Sequence, residues 1–228
     1  MLFLAVFCGF LAEYQLEHKI ERDREKQYIL SMMQDLRDDT SSISSTVNEL
    51  ISISKLADTM LMQLKNGTPD PAVLNRIISS RFWIYAGYTY NNRTVQQLKN
   101  SGNFRLLRNE AVADSILQYD NVVNTIIIPQ WIDLKNTMYA YKEVEARVIA
   151  YQQLYKVKSS HSAMPFNDSI LVASTQNSLI TSDAQLISLY YNRLFIHATL
   201  LHLFISNLDD SKVSAKRLIT FIIKQYSL

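Results

Sequence analysis

Histidine, cysteine and clustered carboxylates are the side chains from which this 228-residue chain could build a metal site or a catalytic centre. A zinc site needs several nitrogen, sulfur or carboxylate ligands converging on one point. The histidines are His18, His161, His197 and His202. His197 and His202 are five residues apart, which places them on different faces of one helix. His18 and His161 have no ligand-type neighbours, and Ser160-His161-Ser162 reads as loop. Surface or satisfied core histidines account for all of them. Cys8 is the lone cysteine, which excludes an intramolecular disulfide. Two carboxylate pairs occur, Asp38-Asp39 and Asp209-Asp210. The first lies beside an apolar seam and reads as solvated charge; the second reads as a helix cap. Neither has the setting of an acid–base pair. There is no Gly-x-Ser-x-Gly, no cysteine with a histidine partner and no Gly-rich phosphate loop. The expectation is a chain with no catalytic residue, no metal and no cofactor, hence not an enzyme.

One cluster could still line a ligand pocket. Phe82, Trp83, Tyr85, Tyr88 and Tyr90 follow Arg81 closely, and an arginine among aromatics can hold an anion. The competing reading is a core plug between helices, with Arg81 paired to a carboxylate while its stem packs. Arg193, next to Leu194, reads the same way. Asn66, Asn92 and Asn167 head Asn-x-Ser/Thr sequons, which matter only in a glycosylating secretory route. Net charge is +2 with the signs well mixed, so no basic field for nucleic acid exists.

The elements that must position these residues begin at a sharp junction. Met1 to Ala12 carry no charge, whereas Glu13 to Lys26 hold nine charged residues. A bilayer core of roughly 30 Å needs about 20 apolar residues, and twelve supply only about 18 Å. Three expectations follow: a membrane helix lacking its outer half, an atypical signal segment, or a buried core helix. Residues 1–17 are taken as the truncated membrane-helix segment, and 18–228 as one helical-bundle domain. Lipidation of Cys8 is disfavoured because Phe7 is too large for the position before it. Lys19, Arg22, Arg24 and Lys26 lie on a solvated, mixed-charge face and could also sit at lipid head groups.

Only four Gly and four Pro occur in the chain, far below average usage, which favours long helices. From Glu13 to Asn66 there is neither. Ile29, Met33, Leu36, Thr40, Ile43, Val47, Leu50, Ser54, Ala57, Leu61 and Leu64 alternate spacings of four and three, a seam for helix packing. Ser41-Ser42 and Ser44-Ser45 are its weak point, where a kink or break is expected. Asn66-Gly67 ends the helix, and Asp70-Pro71 starts another running to about Ala86. Gly87 to Asn92 reads as a polar aromatic loop. Thr94 caps a short helix that ends at Ser101-Gly102, and Asn109 caps a long helix towards Tyr155 that Pro129 kinks or divides. Val122 to Ile128 is β-branched, but its flanks are helical. Lys158 to Asp168 is a polar loop. A second seam runs Ile187, Tyr191, Leu194, Ala198, Leu201, Ile205, Leu208, and Asp209-Asp210-Ser211 breaks it to cap a last helix. The fold class is all-α: a long N-terminal helix continuing from a membrane segment into an antiparallel bundle.

Residues Thr94-Val95-Gln96-Gln97-Leu98-Lys99-Asn100-Ser101-Gly102-Asn103-Phe104-Arg105-Leu106-Leu107-Arg108-Asn109 form a motif of their own. It resembles the Thr-x-x-x-Leu-x-x-Ser-Gly-x-x-x-Leu-(Ile/Leu)-x-Asn element of an uncharacterised family of small bacterial membrane-anchored proteins. Gly9-Phe10-Leu11-Ala12 with Gln15 and Glu21-Arg22 resembles that family's membrane exit. Tyr28-Ile29-Leu30 and Asp35 to Asp39 resemble its first helix. Two departures stand out: Glu17-His18-Lys19 replaces a Trp-Asn-Glu-like exit, and a basic cytoplasmic segment with a full membrane helix is missing. The resemblance implies a single-pass inner-membrane protein with a periplasmic helical domain and no known activity. On the residues alone the motif is a structural corner: Thr94 caps, Leu98 packs, Ser101-Gly102 end the turn, Leu106-Leu107 plug the core and Asn109 restarts a helix.

The reading that results is a membrane-anchored binding, sensing or scaffold module without catalysis. Its expected partners are the membrane, a second copy paired through the first helix, and an unidentified protein. The alternatives are an enzyme with a pocket near Arg81, Trp83 and Tyr88, and a soluble cytosolic interaction protein whose first helix is core.

Overall fold

A single helix, α1, runs unbroken from Leu2 to Lys65. In this computed structural model the described residues are 2–66, 70–79, 88–150, 156–157, 171–172 and 179–228. The serines of α1 do not interrupt it. Ser44 Oγ donates back to the Thr40 carbonyl at 2.7 Å, and Thr40 Oγ1 to that of Arg37 at 2.8 Å, so the hydroxyls bond within the helix. Of the eleven first-seam positions all are buried except Thr40 and Leu61, which are half-buried. Met32, Asp35, Asp39, Thr46, Ile53 and Met60 widen the seam into a stripe. The chain's own helices cover this stripe. The expectation of a core helix at the N-terminus does not hold for residues 6–12: Val6, Phe7, Phe10 and Leu11 are all exposed. Among the described residues no helix is long and apolar enough to cross a membrane.

Helix α2 spans Pro71–Ser79. Asp70 caps it as its position before proline predicts, its Oδ1 accepting from the Ala72 amide at 2.8 Å. Helix α3 is Arg93–Asn100, followed by a 3-10 turn at Asn103–Leu106 and helix α4 at Glu110–Val122. Pro129 acts upstream of itself. A π-helical turn occupies Val123–Ile127, and α5 restarts at Ile128–Glu145 with proline in its first turn. The proline ring has no N–H and crowds the carbonyl four residues back, so the helix widens by one turn rather than kinking sharply. Asn124 Nδ2 and Thr125 Oγ1 donate to the carbonyls of Asp120 and Asn121 at 2.7 and 2.8 Å, side-chain bonds that accompany the widened turn. Helix α5 stops at Glu145, short of the expected Tyr155. Lys156–Val157 (β1) and Leu171–Val172 (β2) form a two-residue antiparallel pair. The expected loop from Lys158 to Asp168 lies outside the described residues.

The last helix, α6, is Ala184–Tyr226 and does not break at Asp209-Asp210. Asp209 pairs with Lys212 at 2.7 Å along the helix surface, and the buried row continues past it through Ser211, Ala215, Leu218 and Ile222. Continued packing outweighs the capping preference of two aspartates. The buried stripe also differs by one residue from the second seam. Tyr190 and Phe204 are core, while Tyr191 and Ile205 are only half-buried.

Contacts divide the chain into two compact units. One comprises Met1–Ser44, Thr89–Ile126 and Asp209–Leu228; the other, Ser45–Tyr88 and Ile127–Leu208. In the first, Ile29, Leu36 and Ile43 of α1 are buried, as are Val95, Leu98, Val112, Ile116 and Ile222. The second packs Leu50, Ala57, Leu74, Ile77, Leu134, Tyr190, Leu194 and Leu201.

Candidate functional site

Three aspartates lie buried in the first unit, and they organise the corner around α3. Asp35 and Asp39 are one helical turn apart on α1, and Asp120 sits in the last turn of α4; each is 3% exposed or less. Asp35 receives the Thr94 amide at 2.9 Å, the Thr94 hydroxyl at 2.5 Å and Arg93 Nη2 at 3.0 Å. Thr94 therefore does not cap α3 with its own side chain. It stands in the first turn, and a carboxylate from another helix satisfies the amide. With the Thr94 proton directed to Asp35, Ser31 Oγ donates to Thr94 Oγ1 at 2.9 Å. Asp39 accepts the Asn91 amide and side chain at 2.8 and 2.9 Å and the Tyr119 hydroxyl at 3.1 Å. Asp120 accepts from the Tyr90 hydroxyl at 2.8 Å and pairs with Lys99.

Asp39 was expected among solvated charges, and the structure corrects this: Asp38 faces solvent and Asp39 faces the core. Burial pushes the Asp39 carboxyl up to about 6 despite its three donors, with the charge of Asp35 adding to the rise. Burial, then the bond to Asp120, pushes the Tyr90 phenol up as well. Donors surround each of the three carboxylates. They hold residues 90–94 against α1 and α4. Among the described residues no three metal-ligating side chains converge.

The rest of the corner is equally committed. Leu98 is fully buried. Ser101 Oγ donates to the Gln97 carbonyl at 2.6 Å, and Gly102 turns the chain at φ +66°. Asn109 caps α4 by accepting from the Val112 amide at 3.1 Å, and its Nδ2 donates to Gln225 at 2.9 Å. Glu25, 6% exposed, accepts both the Arg108 amide and the Tyr226 hydroxyl at 2.7 Å. A Cβ at position 102 would meet no atom within 4 Å, so the cost of Gly102→Ala is backbone strain alone. We expect about 1 kcal/mol of destabilisation in urea unfolding. Gly102→Asn should lose less, since asparagine tolerates the left-handed region.

Elsewhere the predicted residues separate. Arg81, Phe82, Trp83 and Tyr85 lie outside the described residues. Tyr88, in the second unit, meets Phe204 edge-on at 6.3 Å, and Phe204 stacks with Trp131 at 5.7 Å. Tyr90, in the first unit, meets Tyr119. Arg193 is exposed. The second unit has its own buried polar groups. Glu145 accepts from the Tyr190 hydroxyl at 2.6 Å. His197 is fully buried, with Nδ1 3.0 Å from Thr137 Oγ1. Thr137 gives its proton to the Leu134 carbonyl at 3.0 Å, so the neutral imidazole donates from Nδ1. Burial, then the nearby Lys142, lowers its pKa to about 4. His202, on another face, sits 3.1 Å from Asp58.

One surface feature of the first unit is open. Helices α4 and α6 run antiparallel there, Asn109 meeting Gln225, and face each other with matched spacing. Ser115, Gln118, Tyr119 and Val122 oppose Ser214, Arg217, Leu218 and Phe221 across a groove of about 290 Å³. A second depression of about 430 Å³ on the far side of Arg217 and Phe221 adds Val213, Lys216, Thr220 and Lys224. From Ser211 to Leu228 the chain has four basic residues and no acidic one. Lys212 pairs with Asp209, while among the described residues Lys216, Arg217 and Lys224 form no ion pair. Sequence reasoning passed over this surface because its basic residues are diluted among apolar core positions. The run without carboxylates was the available signal.

No protein-family model, no curated protein and no solved structure matches the chain.

Proposed function

We propose that this chain is a single-pass, membrane-anchored helical module that binds a partner outside the inner membrane, in the periplasm, without catalysis. The observation that carries the reading is the state of α1 before the bundle. Val6, Phe7, Phe10 and Leu11 are 41–67% exposed on one face of the helix, and Cys8, Gly9 and Ala12, which complete its circumference, are exposed and uncharged. Apolar surface all round a helix is unfavourable in water and suits lipid. Tyr14, Leu16 and Ile20 continue the exposed apolar surface among the charges of the next turns, an arrangement suited to the headgroup region. The same helix then enters the core at Glu25 and Ile29 without a break, so an anchor and a bundle would share one rigid element. The first seam is covered within the chain, so a second copy would meet residues 6–20 rather than the seam. The resemblance around Thr94 to Asn109 favours the periplasmic side.

Alkaline extraction of membranes from bacteria making the chain, with protease added to spheroplasts, tests this directly. We expect the protein to stay with the membranes and its bundle to be digested from outside. Release by alkali would remove the anchor, and protection of the bundle would reverse the orientation.

A further inference from the structure

The α4–α6 groove and the depression beside it share Arg217 and Phe221, and together they give α6 one open face that is apolar at Val213, Leu218 and Phe221 and basic at Lys216, Arg217 and Lys224. Val213 to Lys224 covers about 16 Å of helix, three turns. That is the length over which a docked helix makes its contacts. Val122, Leu218 and Phe221 supply the floor, and Val213 is 42% exposed. The cations are not gathered at one level, as a single phosphate would require. Lys216 and Arg217 stand two turns from Lys224, about 11 Å along the axis. Ser115 and Gln118 line the opposite rim of the groove, and Glu110, beside Gln225 at the Lys224 end, makes no ion pair with the cations among the described residues.

We propose that this face of α6, with the α4–α6 groove along its edge, docks an acidic amphipathic helix of a partner protein. Apolar residues at i, i+3 or i+4, and i+7 would lie over Phe221 and Leu218. Carboxylates two turns apart would meet Arg217 and Lys216 at one end and Lys224 at the other. Positive charge that has no ion pair among the described residues steers and selects an acidic helix, and the apolar surface beside it holds it. The proposal names the partner class for the binding module inferred above, and it uses the bundle surface rather than the anchor.

The test uses the whole chain in detergent micelles and a labelled, designed helix of about 15 residues, with a leucine stripe flanked by glutamates. A lysine-flanked version and a scrambled version are the controls. Fluorescence anisotropy should show the acidic helix binding at least about tenfold tighter than either control, weakening with added salt. Arg217→Glu should lower that affinity at least about tenfold, and Phe221→Ala should lower it too. A photo-crosslinker at position 220 should capture the acidic helix. Arg217 is exposed and forms no ion pair among the described residues, so an unchanged melting curve for Arg217→Glu separates lost binding from lost folding. Equal binding of the scrambled helix, or binding indifferent to Arg217→Glu, would overturn the proposal. So would flotation on phosphatidylglycerol vesicles that Arg217→Glu abolishes while the acidic helix does not bind, which would assign the cations to lipid. The peptide-binding outcomes leave the anchorage untouched because they are read in micelles, and the vesicle outcome is read as the difference between the native chain and Arg217→Glu, which carry the same α1.

Discussion

Asp35→Ala is expected to cost about 2–6 kcal/mol of unfolding free energy, about 1–3 kcal/mol for each of two buried donors left unpaired. The change strands three donors at once: the Thr94 amide, its hydroxyl and the Arg93 guanidinium. The guanidinium is largely exposed and can turn to water, so it contributes the smaller part. The Thr94 amide and hydroxyl are buried, and leaving them unpaired is the larger cost. Asp35→Asn keeps one acceptor but points an NH2 group at a donor, and should fall between. Asp38→Ala is the control. Asp38 is exposed and among the described residues accepts only from Gln34, so its loss should stay within about 0.5 kcal/mol. Urea unfolding reads the totals, and hydrogen exchange at the Thr94 amide locates the effect. A loss for Asp35→Ala no larger than for Asp38→Ala would mean that the carboxylate does not hold the corner.

Two buried groups should give opposite pH dependences between about pH 4 and 6.5. His197 has its pKa lowered from 6.5 to about 4 by burial and Lys142. As pH falls through that window the unfolded chain takes up a proton that the folded chain does not. Stability contributed by the neutral imidazole is full above about pH 6.5 and is lost towards pH 4, by about 3 kcal/mol. Asp39 has its pKa raised from 3.8 to about 6 by burial. Between those values the folded chain keeps a proton that the unfolded chain has released. Its contribution is therefore full below about pH 4 and falls by about 3 kcal/mol as pH rises to 6. In the native chain the two slopes nearly cancel. His197→Gln should expose a fall in stability from pH 4 to 6, and Asp39→Asn a rise from pH 4 to 6.5. Denaturant unfolding at half-unit pH steps checks both. Variants whose profiles run parallel to the native one would show that neither group is desolvated as described.

Much of the framework was legible in residue patterns. The end of α1 at Lys65, the cap at Asp70, the cap at Asn109 and the division ahead of Pro129 each follow from one residue's backbone chemistry. The first seam was legible because eleven positions keep one spacing over ten turns. The second seam slipped by one residue where two neighbours are equally apolar. Tyr190 and Tyr191, or Phe204 and Ile205, cannot be ranked by hydrophobicity; Phe204 is core through its stacking on Trp131. Asp39 was misread for a related reason. An aspartate next to another on a helix looks solvated until Asn91 and Tyr119, which lie 52 and 80 residues on, are known to face it.

By itself the sequence determined the helical class, the long first helix, the caps at Asp70 and Asn109 and the apolar-to-charged junction at the start of α1. These depend on interactions within about four residues, which spacing and residue type encode. Only the tertiary structure decided that Asp35, not Thr94, satisfies the start of α3, that α6 runs through Asp209-Asp210, and that Arg217 and Phe221 border an open groove. Each of these depends on which distant side chain arrives opposite, and packing against that neighbour outweighs the local preference of the residue.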